Sequence, residues 1–310
     1  MSKAELKKEI AEGLQLLEDG DFEEAEKWLI NAANSGNQSA MVELGFGYIE
    51  GNFGEEADPQ TGVEWLEKAV DLGNSDGMTL LGLYYLDQGK MKKGLGLLNQ
   101  AADLDNPDAM IPLGMIALSQ KDEEGIEWLK KAVELESDEA MLTLGSLYLE
   151  GELVEKDIEE GESLLRQAVE HGNVNALVEL GLYLLDNDQA EEGESLLRKA
   201  VKEGHDDAML ELGLYLIEGD VLVQNVEEGE DLLRDAAEQG NEGAMRCLGV
   251  LLIQGEHLSE DEEEGRKWLE EANELGNEES LRELEKAIKK GEVSVGGRKS
   301  IQIAIESLDI

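Results

Sequence analysis

The stretch AMLELGLYLIEG at residues 208–219 decides the fold, because AMLTLGSLYLEG at 140–151 and AMVELGFGYIEG at 40–51 nearly repeat it. In each, apolar residues return every three or four positions, the spacing of a helix with one buried stripe. In each, a glycine also stands mid-helix, at Gly213, Gly145 and Gly45. Such a glycine costs about 1 kcal/mol relative to alanine, so its recurrence in one register implies a compensating packing gain.

The same glycine returns at Gly82, Gly114, Gly181 and Gly249, at intervals of 31 to 37 residues. A period of that size marks an array of helical repeats. A second series, Gly62, Gly94, Gly125, Gly161, Gly193, Gly229 and Gly265, opens a second apolar pattern. That pattern ends in Leu-x-x-Ala, as at Leu66–Ala69, Leu129–Ala132, Leu165–Ala168 and Leu197–Ala200, and Ala25, Leu29 and Ala32 supply an earlier copy without the glycine. Each unit therefore reads as helix A, turn, helix B, turn. Boundary chemistry agrees: Gly36-Asn37, Gly73-Asn74, Gly172-Asn173 and Gly240-Asn241 combine a left-handed stop with a cap for the next helix. Acidic residues (Asp76, Asp108, Glu139, Asp207) fall in the first turn of helix A, where the helix dipole favours them. The recurring glycine predicts that helix A and helix B of neighbouring units press together where a Cβ would intrude. A hinge at each glycine is the competing reading, disfavoured because hinges do not recur seven times in register.

The spacing predicts an all-α fold: a right-handed α/α superhelix (solenoid) of about eight two-helix repeats with a C-terminal capping helix and a short tail. Residues 1–37 read as a tetratricopeptide-like capping repeat and 38–277 as seven further repeats. Residues 278–291 read as a capping helix and 292–310 as a flexible or strand-like tail in which Ile301, Ile303 and Ile305 alternate. That tail is expected to fold back on the last repeat, with self-association through it as the sharper alternative.

The pattern Ala-x-x-x-Leu-Gly-x-x-Tyr-x-x-Gly, then a loop ending in Asp before helix B, runs from Ala40 to Gly51 with Asp58 and again from Ala140 to Gly151 with Asp157. It resembles the Sel-one-like repeat (SLR) family, cousins of the tetratricopeptide repeats, and the resemblance extends over about residues 3–288. Units near 75–106, 107–137 and 174–205 have shortened loops and look more like plain tetratricopeptide repeats. The family's tyrosine slides by one position at Tyr183 and Tyr215 and becomes Ala117 in one unit. The disulfides of secreted members are absent. The resemblance implies an adaptor scaffold without chemistry of its own.

Composition narrows the partner. Against 73 Asp and Glu stand 26 Lys and Arg, a formal charge of −47, which argues against nucleic acid or an anionic membrane as a direct ligand. The single cysteine, Cys247, excludes an intrachain disulfide framework and fits a reducing compartment. The N-terminal MSKAELKKEIAEG has no apolar core of a secretory signal, and no stretch approaches about 18 consecutive apolar residues, so a cytoplasmic protein is expected.

With the helix-A glycine as position zero, positions −5, −1, +2 and +3 share the core face, and the methionines at −4 (Met41, Met78, Met110, Met141, Met209, Met245) read as packing rather than as a ligand groove. The polar positions −2 and +5 predict an acidic rim of Glu43, Glu50, Asp87, Glu150, Glu179, Asp186, Glu211 and Glu218 on the concave face. Position +1 predicts its apolar floor: Phe46, Leu83, Met115, Leu182, Leu214 and Val250. The plainer reading is that these acids keep the surface wet, but solubility needs a net charge of only about 2–8 for a small domain. Glu162–Arg166, Glu194–Arg198 and Glu230–Arg234 are structural pairs one helical turn apart.

No catalytic, cofactor or metal constellation emerges. His171, His205 and His257 lie at helix ends or in loops a repeat or more apart, and there is no phosphate-binding glycine loop or calcium-loop pattern. The function expected is therefore a non-enzymatic scaffold whose acidic concave face captures a basic protein, in the manner of an inhibitor or immunity-type protein. The alternatives are a DNA mimic that occupies a DNA-binding partner, and a general adaptor whose acidity reflects a salty cytoplasm.

Overall fold

A computed structural model describes residues 11–17, 20–53, 57–255 and 257–272. The expected capping helix at 278–291 and the tail at 292–310 lie outside them. Fifteen helices follow a helical stretch at 11–17, with no strand among the described residues. They are α1 (Phe22–Asn34), α2 (Gln38–Glu50), α3 (Pro59–Asp71), α4 (Ser75–Asp87), α5 (Met91–Ala102), α6 (Pro107–Ser119), α7 (Glu124–Glu134) and α8 (Asp138–Glu150), followed by α9 (Ile158–Glu170), α10 (Val174–Asp186), α11 (Ala190–Lys202), α12 (Asp206–Glu218), α13 (Val226–Glu238), α14 (Glu242–Gln254) and α15 (Glu262–Ala272). Even-numbered helices are the A helices of the repeat and odd-numbered ones the B helices. The chain divides into two compact units, 1–161 and 162–310.

The caps follow the sequence pattern. Asn37, Asn74, Asn106, Ser137, Asn173 and Asn241 each accept the backbone N–H three residues on, and His205 does the same through Nδ1. One donor that the first turn would leave unpaired is thus satisfied in every A helix. Before the long loops, α2, α8, α12 and α14 stop at the left-handed glycines Gly51, Gly151, Gly219 and Gly255.

The mid-helix glycines meet each other. A Cβ on Gly62 would lie 2.6 Å from the Gly45 carbonyl oxygen, and one on Gly45 would lie 2.5 Å from Leu66 Cγ. The same closeness joins Gly82 to Gly94, Gly114 to Gly125, Gly145 to Gly161, Gly181 to Gly193, Gly213 to Gly229 and Gly249 to Gly265. This corrects the expectation that the glycines serve contacts between neighbouring units: the contact is within one repeat. Helix B folds straight back on helix A after the short and the long loops alike, so its first turn crosses helix A at the middle.

Around each crossing the residue at −5 (Gly77 in α4, alanine elsewhere) and the leucine at −1 of helix A are buried, as are Leu66 and Ala69 and nearly all their equivalents on helix B. Met41, Met78, Met110, Met141 and Met209 are core residues as well. Each hairpin then packs on the next: α3 on α4, α5 on α6 and α7 on α8 in the first unit, α11 on α12 and α13 on α14 in the second. Successive A helices also touch, α2 with α4, α4 with α6, α6 with α8, and α12 with α14. The fold is an all-α solenoid of helix pairs.

Candidate partner-binding face

The acids and apolar residues at positions −2, +1 and +5 of the A helices fare differently in the two units. In the first unit Phe46 is 45% exposed and Leu83 39% exposed, and Met115 is partly exposed. The acids beside them, Glu50, Asp87 and Glu150, are exposed, and Glu43 is half-buried. Burial pushes the Glu43 carboxyl above its ordinary value. Pro112 replaces the acid at −2 in α6 and Thr143 replaces it in α8, so the strip there carries less charge.

In the second unit Glu179 and Asp186 are exposed and Glu218 is partly exposed, but Glu211 is only 5% exposed. Leu182, Leu214 and Val250 are buried. Each shares a buried cluster with a loop residue three positions after a left-handed glycine. Leu222 belongs to the buried cluster of Leu182, and Leu258 to that of Leu214 and Val250. Val154 holds the matching place after Gly151 and is buried too. The repeated offset Gly151–Val154, Gly219–Leu222 and Gly255–Leu258 is the sequence signal that would have revealed this cover. Leu222 comes from the loop of the repeat after Leu182, whose own loop is as short as those after α4 and α6; Leu83 is exposed and Met115 partly exposed.

Two polar ladders stiffen the stack. Asn106 donates to Ser75 Oγ (3.1 Å) and Asp76 (2.7 Å) of the preceding A helix, and Asn241 donates to Asp206 (2.9 Å) and Asp207 (2.8 Å). The Asn241 bond holds the Asp206 carboxyl below its usual range. On the B helices, Arg166, Arg198 and Arg234 each bind the glutamate one turn earlier and a glutamate of the next B helix. The i,i+4 half of this ladder is readable from sequence; the partners Glu192, Glu228 and Glu264 are not. Hydrogen bonds from the arginines hold all three of those carboxyls below the usual range.

His205, Asp206 and Asp207 come together, but each is engaged in the fold. His205 caps α12 and lies 2.8 Å from Asn175 Oδ1, and both acids accept from Asn241. Cys247 is buried, and burial first, with the Glu211 charge second, pushes its thiol up to about 12, far from a reactive thiolate at neutral pH. Among the described residues no helix is long and apolar enough to cross a membrane.

The Sel1 repeat model matches residues 11–37, 38–74, 75–106, 114–137, 138–173, 206–241 and 244–277, most of the chain. Two of the three short-loop repeats, 75–106 and 114–137, are thus Sel1 repeats, and 174–205 stays outside the match. No curated protein matches the chain. Among solved structures it is similar to a protective antigen of uropathogenic Escherichia coli displaying an SLR fold, with 24% identity over 92% of this chain and a TM-score of 0.60; the chain spans 62% of that protein. A Sel1 repeat protein from Oxalobacter formigenes is 25% identical over 86% of this chain and 100% of its own, with a TM-score of 0.55. Yeast Tom70, at 17% identity, aligns with 100% of this chain and 68% of its own length at a TM-score of 0.63. Proteins of this repeat class are protein-interaction scaffolds and typically non-catalytic. With matched repeats running from residue 11 to 277, this chain belongs to the Sel1 repeat family.

Proposed function

We propose that the chain is a non-enzymatic scaffold that captures a basic protein, in the manner of an inhibitor or immunity-type protein, through the A-helix face of its first unit. The observation that carries this reading is the uncovered strip of Phe46 and Leu83 bordered by Glu43, Glu50 and Asp87. Apolar side chains left open beside carboxylates suit a partner segment that presents apolar anchors between Lys or Arg. The charge of −47 supports the same reading by attracting such a partner from a distance. Because that field is screened over about 8–10 Å at physiological salt, association is fast at low salt and slows as salt rises. Burial of the Glu43 charge adds support, since a basic partner would offset the desolvation that the free protein carries.

The test is to immobilise the protein, pass nuclease-treated lysate of the source cell over it, elute with rising salt, and measure the eluted protein against variants. A basic protein is expected, with affinity at least tenfold weaker for Phe46→Ser/Leu83→Ser and less salt-dependent for Glu43→Gln/Glu50→Gln/Asp87→Asn. Unaltered affinity in both variants overturns the assignment of this face.

A further inference from the structure

The first unit carries a second opening, lined by the B helices α3 and α5 and by α4 between them. A groove of about 420 Å³ lies between α3 and α5. Its floor is Val70, Leu81, Leu97 and the Tyr85 ring; Glu67 and Asp71 line the α3 side, and Lys92 and Lys93 the α5 side. The volume falls within the roughly 300–1,000 Å³ of ordinary ligand sites.

The second unit closes the matching places with ion pairs. In the second unit, the residue five after the helix-B glycine is Arg198 or Arg234, and it clamps the residue just before the next helix-B glycine, Glu228 or Glu264. At α3 and α5 those two positions are Glu67 and Lys93, so the charges are reversed and they do not close on each other. Glu67 instead accepts from the Tyr85 hydroxyl (3.4 Å), and Lys93 Nζ sits 5.0 Å from the Tyr85 ring centroid, with Lys90 Nζ at 5.2 Å. Gly96 widens the opening: a Cβ there would meet nothing within 4 Å, and the matching position of the other B helices holds Glu64, Glu127, Ser163, Ser195, Asp231 or Lys267. Among the described residues Lys90, Lys92 and Lys93 form no ion pair, in a chain whose acids outnumber its bases 73 to 26. Lys92 and Lys93 thus face Glu67 and Asp71 across a floor in which Val70 and Leu97 are partly exposed and Leu81 and Tyr85 buried, two bases without an ion pair among the described residues of a chain rich in carboxylates.

We propose that this groove binds a peptide segment that lays one bulky apolar side chain on the Val70–Leu81–Leu97–Tyr85 floor and sets a carboxylate against Lys92 and Lys93, with a base or backbone N–H toward Asp71. It is a separate site from the A-helix face and takes a ligand of different chemistry. A basic segment of the kind suited to Glu43 and Asp87 would meet Lys92 and Lys93 here, and like charges at this range repel.

The experiment is selection of a random 12-residue peptide library on the full chain, followed by affinity measurement of the enriched peptides. Enriched peptides are expected to share an apolar residue with Asp or Glu on one side. Their affinity should fall at least tenfold in Gly96→Phe, which fills the groove, and in Lys92→Glu/Lys93→Glu. Replacing the peptide's acid by lysine should restore binding to the latter variant, and Phe46→Ser/Leu83→Ser should leave binding unchanged. Enrichment of basic peptides only, no enrichment, or full affinity in Lys92→Glu/Lys93→Glu overturns the proposal. The double lysine variant decides alone if circular dichroism shows Gly96→Phe to be unfolded.

Discussion

Alanine at Gly125 and alanine at Gly96 should act in opposite directions, although both replace a glycine inside a B helix of the same unit. A Cβ on Gly125 would lie 2.5 Å from the Gly114 carbonyl oxygen, 2.7 Å from Leu118 Cγ and 2.9 Å from the Leu118 backbone nitrogen. Ordinary contact needs about 3.5 Å, so α6 and α7 must part by roughly 1 Å against backbone that no rotamer change can relieve. Overpacking costs about 1–3 kcal/mol, and a backbone obstacle places this case at the upper end. Alanine returns about 1 kcal/mol of helix propensity, leaving Gly125→Ala destabilised by about 2 kcal/mol. Gly96→Ala meets nothing within 4 Å and keeps the propensity gain of about 1 kcal/mol. The two urea midpoints, read by circular dichroism at 222 nm, should therefore move apart from wild type, down for Gly125→Ala and up for Gly96→Ala. Energetics in such arrays act mainly between neighbouring repeats, so faster amide exchange should be concentrated in α6 and α7. A Gly125→Ala midpoint at or above wild type would refute the close-approach account of both glycine series.

Two further outcomes follow from the charges. Arg198→Gln loses bonds of 2.8 Å to Glu194 and 2.5 Å to Glu228, all about a third exposed, and should cost about 1 kcal/mol in urea titrations at low salt and less than half of that in about 1 M NaCl. The Glu228 carboxyl is depressed in the folded state, so its contribution is present above the unfolded value and is lost as pH falls through the folded one; the Arg198→Gln deficit should shrink along the same acid limb. Glu43 has the opposite sign: its carboxyl is raised, so it favours folding below the unfolded value and loses that contribution as pH rises through the folded one. Glu43→Gln should raise the urea midpoint at neutral pH and leave it unmoved in strong acid, and a lowered midpoint at neutral pH contradicts the burial argument.

Much of this was legible because the repeat writes its local rules many times. The caps at Asn37, Asn74 and Asn241 and the stops at Gly51, Gly151 and Gly219 depend on residues within a few positions of each other, which periodicity displays directly. His205 as a cap was readable only by its register with those asparagines, since histidine is not a residue type that announces one. The hairpin partner of each glycine was misplaced because sequence tells that a Cβ is missing without telling what fills the space. The rim and floor suffered from the same limit. Glu179 and Glu211 hold one repeat position, yet one is exposed and the other 5% exposed, because burial is decided by what the neighbouring loops cover. Leu222 and Leu258 are loop residues, and their burial among core side chains is a tertiary event that a period in the sequence does not carry.

The two units spend the same repeat differently, and the physics of stacking explains how one chain can hold both forms. In the second unit, arginines clamp one B helix to the next, and loop leucines cover the A-helix positions where a partner would otherwise find apolar surface. In the first unit, the clamp positions at α3 and α5 are Glu67 and Lys93, Gly96 removes a side chain, and Leu83 and Met115 stay exposed or partly exposed. Where departures of this kind weaken packing in a globular core, the losses are felt throughout. In a repeat array they are confined to the repeat and its neighbours, because each hairpin contacts only those beside it. An open A-helix strip and an open B-helix groove can therefore coexist on the same few hairpins without loosening the glycine crossings that hold each hairpin shut. A family fold whose hairpins close through backbone contacts, as Gly82 with Gly94 and Gly114 with Gly125 do, leaves the outer faces of its helices free to vary. Both proposed recognition faces lie where such residues have been exchanged, in the first unit.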